Sequence, residues 1–216
     1  MVLILFTTVA LSQEIIEKSI NSESEKILVE FDLIDHIELF NSDSESQIVV
    51  KAEGSEQTPN FQITEINGYV LLKDFKSPSK DVMLERDKVC SVEPNYTSYE
   101  IYVPRNKNLY IAVIEGNFYA TNFDGNLNLK LEDGTIKLNG MNKPVSVHLN
   151  SGSIFVHDII NTKIDAETNM GILVHNLTDK SNERPEKKLN ETIGDAKNSL
   201  LIRAILANIY LYGSKS

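Results

Sequence analysis

Few residues in this 216-residue chain could carry chemistry. Asp165 and Glu167 stand two apart in the run Ile164-Asp-Ala-Glu-Thr168. Paired carboxylates are what cleavage of a polysaccharide needs, one as acid and the other as base or nucleophile across a groove. Lys130 and His148 recur at matching positions of neighbouring runs, so charge alternates in sign down the column, which is equally the pattern of a salt-bridged ladder. His157 and His175 share another column and could offer neutral imidazoles to a transition metal. With no carboxylate in that column they make a weak ligand set, and two surface histidines are the plainer reading. Cys90 is the single cysteine, so neither an internal disulfide nor a cysteine-clustered zinc site can form. No Gly-x-Ser-x-Gly elbow, phosphate loop or dinucleotide fingerprint is present. No cofactor is expected.

A further set of residues could bind rather than react. Tyr119, Phe155, Leu173 and Tyr210 fall at equivalent places in successive runs, next to Lys137. Exposed, such an apolar and aromatic stripe suits a partner protein or sugar rings; covered by the chain's own residues, it is ordinary core.

These residues are positioned by strands. Alternation with period two runs through Ile27–Phe31, Ile37–Leu39, Gln47–Lys51, Phe61–Ile63, Tyr69–Lys73 and Tyr99–Val103, with Gly, Asn, Asp and Ser between the runs. The helix candidates at 80–87 and 179–188 read better as loops. The chain is therefore all-β.

Its second half repeats. Gly116, Gly134 and Gly152 are evenly spaced in short polar turns, and Met170-Gly171 continues the series. Phe118, Ile136, Ile154 and Ile172 form one inward column; Ala120, Leu138, Val156 and Val174 form the next. A final copy, Leu200–Ala204 and Ile209–Leu211, follows an insertion at about 176–198, with Ala207 in place of the glycine. Two strands in about 18 residues fit a single-stranded parallel β-helix, or β-solenoid, in which each strand pairs with its copy one rung away. An antiparallel sandwich with regular hairpins is the competing architecture. Calcium-binding nonapeptide solenoids need about two Gly- and Asp-bearing turns in the same length, and this chain has one.

Tyr99-Glu-Ile-Tyr-Val-Pro104, Asn108-Leu-Tyr-Ile111, the repeated Gly-x-Ile turns and Leu189-Asn-Glu-Thr-Ile-Gly194 resemble the bacterial putative adhesin family, including GIN-type auto-transporter adhesin head domains. Phe31–Leu39, Ile48–Gly54 and Ile66–Leu72 are similar to that family's opening strands, so the resemblance spans about 24–213. It implies an exported envelope protein built as a parallel β-solenoid, with no assigned catalytic residues. Ala207 and Asp195-Ala196 depart from the family's glycine pattern, which marks the last rung as irregular.

Composition and the amino terminus set the remaining expectations. With 21 Lys+Arg against 31 Asp+Glu, a net charge of -10 argues against nucleic acid or an anionic membrane as the main partner. The apolar run Val2–Ala10 with Ala10-Leu11-Ser12 has the form of a signal peptide ending at residue 12, although no Lys or Arg follows Met1. No later run is long enough for a membrane helix. The expected organisation is a signal peptide over 1–12, a strand-rich region over 13–98 continuous with the repeats, and a solenoid over 99–216. The expected function is an exported, non-catalytic binding or structural protein of the periplasm or cell surface, meeting a glycan or an envelope protein. The alternative is a carbohydrate-active lyase or hydrolase using Asp165 and Glu167.

Overall fold

The alternation becomes strands throughout. The computed structural model describes residues 15–54, 58–75, 96–177 and 186–214, and among these there is no helix. The signal-peptide expectation, the helix candidate at 80–87 and Cys90 lie outside the described residues. Thirteen strands form one mostly parallel sheet that does not close into a barrel. They are β1 (Ile15–Asn21), β2 (Lys26–Asn41), β3 (Gln47–Gly54), β4 (Phe61–Ile66), β5 (Tyr69–Asp74), β6 (Thr97–Val103), β7 (Asn108–Thr121), β8 (Asn126–Asn139), β9 (Val145–Ile159), β10 (Thr162–Thr168), β11 (Leu173–His175), β12 (Lys188–Thr192) and β13 (Asn198–Gly213).

The repeat sets the register at the centre of the sheet. β7, β8 and β9 pair in parallel, each residue with its counterpart one repeat away, as in Leu109↔Leu127 and Leu127↔Val145. Each long strand has a leading half, a corner at the repeat glycine and a trailing half. Ile111, Leu129 and Val147 line the inner side of the leading halves, and Phe118, Ile136 and Ile154 that of the trailing halves, within one contiguous core. Burying each such aliphatic chain contributes about 1.5–3 kcal/mol, which a single repeat could not collect alone.

Sequence order and spatial order part company at both ends. The repeat predicts that the last copy follows the fourth. Instead β13 lies between β9 and the pair β10/β11, matching Leu200 to Val145 on one side and to Ile164 on the other. At the other end β2 lies between β7 and the pair β5/β6. The two 16-residue strands are thus interior, each flanked by one long strand on one edge and by two shorter strands on the other. Antiparallel strands finish the stack: β3 and β1 beyond β6, β4 beyond β5, and β12 beyond β10. Part of the segment read as an inserted loop is therefore strand β12.

The outermost strands have only three to seven residues, which limits further pairing. Lysines close both ends. The Lys18 ammonium lies 4.6 Å from the Phe61 ring centroid and donates to the Phe61 carbonyl, and Lys187 donates to the Gly171 carbonyl.

Candidate functional site

The fourth copy reverses one expectation. Its glycine, Gly171, comes one residue later than the even spacing of Gly116, Gly134 and Gly152 predicts, and the register aligns Leu173 with Ile209 and His175 with Leu211. Because side chains alternate with period two, one extra residue turns every side chain of the strand over. Leu173 is 1% exposed and belongs to the core, and Val174 takes the outward place. His175 is likewise buried, with Glu186 3.9 Å from its Nε2, and does not join exposed His157 in a surface pair. Ile172 and Val174 therefore leave the inward columns to Leu173 and His175. Among the described residues no cluster of three or more His, Cys, Asp or Glu could hold a metal ion.

The other stripe residues do come together. On the outer face of the trailing halves, Tyr119, Lys137, Phe155, Tyr210 and Val174 occupy one row across β7, β8, β9, β13 and β11. Tyr119, Phe155 and Tyr210 are half-buried, and Lys137 is exposed. Asn117, Thr135, Ser153 and Asn208 flank this row on the corner side. Thr121, Asn139 and His157 flank it on the other, with Tyr212 stacked on His157. These three outward positions on each of β7, β8, β9 and β13 contain no carboxylate, and Lys137 is the single lysine, in a chain with 31 Asp+Glu. The face is a polar but almost uncharged surface with an aromatic spine.

Ring geometry decides what the spine offers. Phe155 and Tyr210 have centroids 4.8 Å apart and planes within 8°; His157 and Tyr212 are 4.7 Å apart at 20°. Rings lying flat side by side cannot approach so closely, so each pair is stacked across neighbouring strands and turns its edges outward. The Lys137 ammonium sits 5.3 Å from the Tyr119 centroid and covers that ring as well. The aromatics thus form cross-strand ladders, and they do not present the flat platforms on which a sugar ring would lie. Burial first, then the Asp35 and Glu38 carboxylates, push the Tyr119 hydroxyl above its ordinary value, so it stays protonated.

Local patterning offers no hint of a cluster that the fold builds beside Tyr119. Asp35 Oδ2 accepts hydrogen bonds from His36 Nδ1 (2.8 Å) and Ser98 Oγ (3.0 Å), and the His36 ring lies 5.8 Å from that of Tyr119. The carboxylate stands between the other two groups, so the imidazole is not placed to take the serine proton as a nucleophile would require. Phe40 and Tyr102 add another stacked pair at 5.0 Å. All these residues are outward positions of β2 and β6, but nothing local says that β2 neighbours β7, which is remote from it along the chain.

Asp165 and Glu167 point outward, as the alternation predicts, from β10, which pairs with the leading half of β13. Each meets a cation: Arg203 Nη2 donates to Asp165 Oδ2 at 2.8 Å, and Lys188 lies 3.5 Å from Glu167. The two carboxylates leave one strand side by side, about 7 Å apart along it, and do not face each other across a groove. The Arg203 hydrogen bond holds the Asp165 carboxyl below its ordinary value, the reverse of what a general acid needs. Lys130 and His148 continue the same row through Arg203, so the arrangement is the salt-bridged ladder.

A carboxylate with a lowered folded-state pKa stabilises the fold above its unfolded pKa, and that contribution is lost as pH falls through the folded value. Asp165 in the native protein should therefore titrate below 3.8, and in Arg203→Gln its midpoint should rise towards 3.8. Side-chain carboxyl NMR shifts across an acid titration measure this; identical midpoints in both proteins would contradict the pairing.

No protein-family model matches the chain, and no curated protein matches it in sequence. Among solved structures it is similar to a putative cell adhesion protein from Clostridium sporogenes ATCC 15579, with a TM-score of 0.66 at 17% identity over 94% of this chain and 100% of that one. It also aligns with a putative adhesin from Bacteroides fragilis NCTC 9343 at a TM-score of 0.42 and 13% identity, over 93% and 98% of the two chains. The first likeness is one of fold, and the second is too loose to add to it.

Proposed function

We propose that the protein is an exported, non-catalytic, adhesin-like binding or structural module of the cell envelope, and that its contact surface is the uncharged face along Tyr119, Phe155 and Tyr210. One observation carries the reading: the three outward rows on the trailing halves of β7, β8, β9 and β13 concentrate aromatic, amide and hydroxyl side chains and contain no carboxylate, the composition of a recognition surface. The repeating register of β7, β8 and β9 supports taking the stack as a β-solenoid of the putative adhesin kind. The fold of the Clostridium sporogenes protein supports the same family reading. The partner is an envelope protein or a glycan held by its hydroxyls rather than by ring stacking.

The test compares residues 13–216 with a Tyr119→Ser, Phe155→Ser, Tyr210→Ser variant on a glycan array and in pull-downs from envelope extract. The lost ring ladders should cost the variant about 1–3 kcal/mol, leaving it folded by circular dichroism. Capture should fall at least about tenfold in the folded variant. Equal capture by both proteins would remove this face from the function.

A further inference from the structure

We propose that the uncharged face binds the same face of a second copy of this chain, forming a weak two-fold dimer; this rests on the reading of that face as a contact surface. The argument is electrostatic and geometric. Two chains of net charge -10 repel over most of their surfaces. At the three outward positions of their trailing halves, β7, β8, β9 and β13 carry no carboxylate, so two copies can approach over these rows without opposing like charges in register. Elsewhere the outward rows do carry acids, such as Glu38 beside Tyr119 and Glu167 beside Arg203.

The central row is also self-complementary. A two-fold axis lying in the interface above Phe155 and parallel to the strands sets Lys137 of one copy opposite Tyr210 of the other, and Tyr119 opposite Val174. The cation then meets a ring and hydroxyl, and apolar groups meet apolar groups. The outward ring edges suit this pairing, because edges meet faces and flanks across a protein interface, whereas a sugar needs exposed ring faces. Such a contact is isologous and closes on itself.

Its size sets its strength. Five strands about 4.8 Å apart, with about 17 Å of each trailing half, give roughly 400 Å² per copy. Stable complexes bury about 800 Å² per partner, so the association should be weak and concentration-dependent.

Sedimentation velocity of the full chain at about 10 μM to about 1 mM should show the mass rising from one chain towards two. Association should tighten in about 0.5 M salt as the mutual repulsion is screened. Lys137→Glu, at an exposed position that leaves the core untouched, and Phe155→Glu should each weaken dimerisation at least about tenfold. Lys130→Glu, on the outer face of the leading halves, should leave it unchanged. A monomer at every concentration, or a dimer that both face variants leave intact, would overturn the proposal. If a monomer still captures a glycan or an envelope protein through Tyr119, Phe155 and Tyr210, the dimer is wrong and the recognition face stands. If the dimer forms while the serine variant captures as well as the parent, pairing stands and that face is not the site of capture.

Discussion

Gly134→Val should destabilise the protein by about 4 kcal/mol, lowering its melting temperature by roughly 10 °C. Two costs combine. Gly134 has φ +143°, a region that β-branched residues avoid, and a Cβ there would lie 1.7 Å from the Gly116 carbonyl oxygen. That oxygen belongs to the neighbouring strand's backbone, so relief requires spreading the stack by moving a strand. Gly152 repeats the situation at φ +125°, with the Gly134 oxygen 1.9 Å from the added carbon. Ala207 shows what changes when the backbone does not need glycine. It occupies the same ladder beside Gly152, is fully buried, and is not among the residues with left-handed φ. Ala207→Gly should therefore cost only about 0.5–1 kcal/mol, from added freedom in the unfolded chain. Chemical denaturation of the three proteins measures the contrast, and equal losses for Gly134→Val and Ala207→Gly would refute the corner ladder.

Stopping the chain at residue 197 should abolish the native state. In an ordinary repeat array, losing the last repeat removes one interface and leaves the others standing. Here the last strand is interior: β13 pairs along its length with β9 and, on its other edge, with β10 and β11. Its absence would open the edge of β9, strip β11 of its strand partner and leave β10 paired with β12 alone, and would remove Ile202 and Ile209 from over the core chains they cover. Near-ultraviolet circular dichroism and amide exchange should show loss of fixed packing, with aggregation through the open edge. A gentler form of the same test is Ile202→Asp, which places an uncompensated carboxylate at a site with no solvent exposure, between Val147 and Ala166. It should cost more than about 4 kcal/mol. Ile16→Asp, on the half-buried edge strand β1, should cost far less. A truncated chain with native exchange protection in β7, β8 and β9 would show that the intercalated strand is dispensable.

The strands and the central register were legible because they depend on local pattern. Alternation marks which residues of β7, β8 and β9 face inward, and a constant repeat length places Leu109, Leu127 and Val145 in one column. From those columns the outward row of Tyr119, Lys137 and Phe155 follows without any tertiary information. The sequence also carried the ambiguity at Asp165 and Glu167, since the same charges serve a catalytic pair or a ladder. Only the position of Arg203, 38 residues away along the chain, resolves it.

What sequence alone determined, then, is everything that repeats with a fixed period: the all-β class, the glycine corners, the inward columns of the central strands and the aromatic row across them. Tertiary structure decided what depends on long-range pairing or on phase. It placed β13 inside the stack rather than at its end, because a strand's neighbour is chosen by shape and burial and not by order along the chain. It turned Leu173 and His175 inward, because one residue added before a strand with period-two alternation inverts every side chain in it. It set the rings on edge, because strands about 4.8 Å apart bring aromatic side chains of one row close enough to stack on each other.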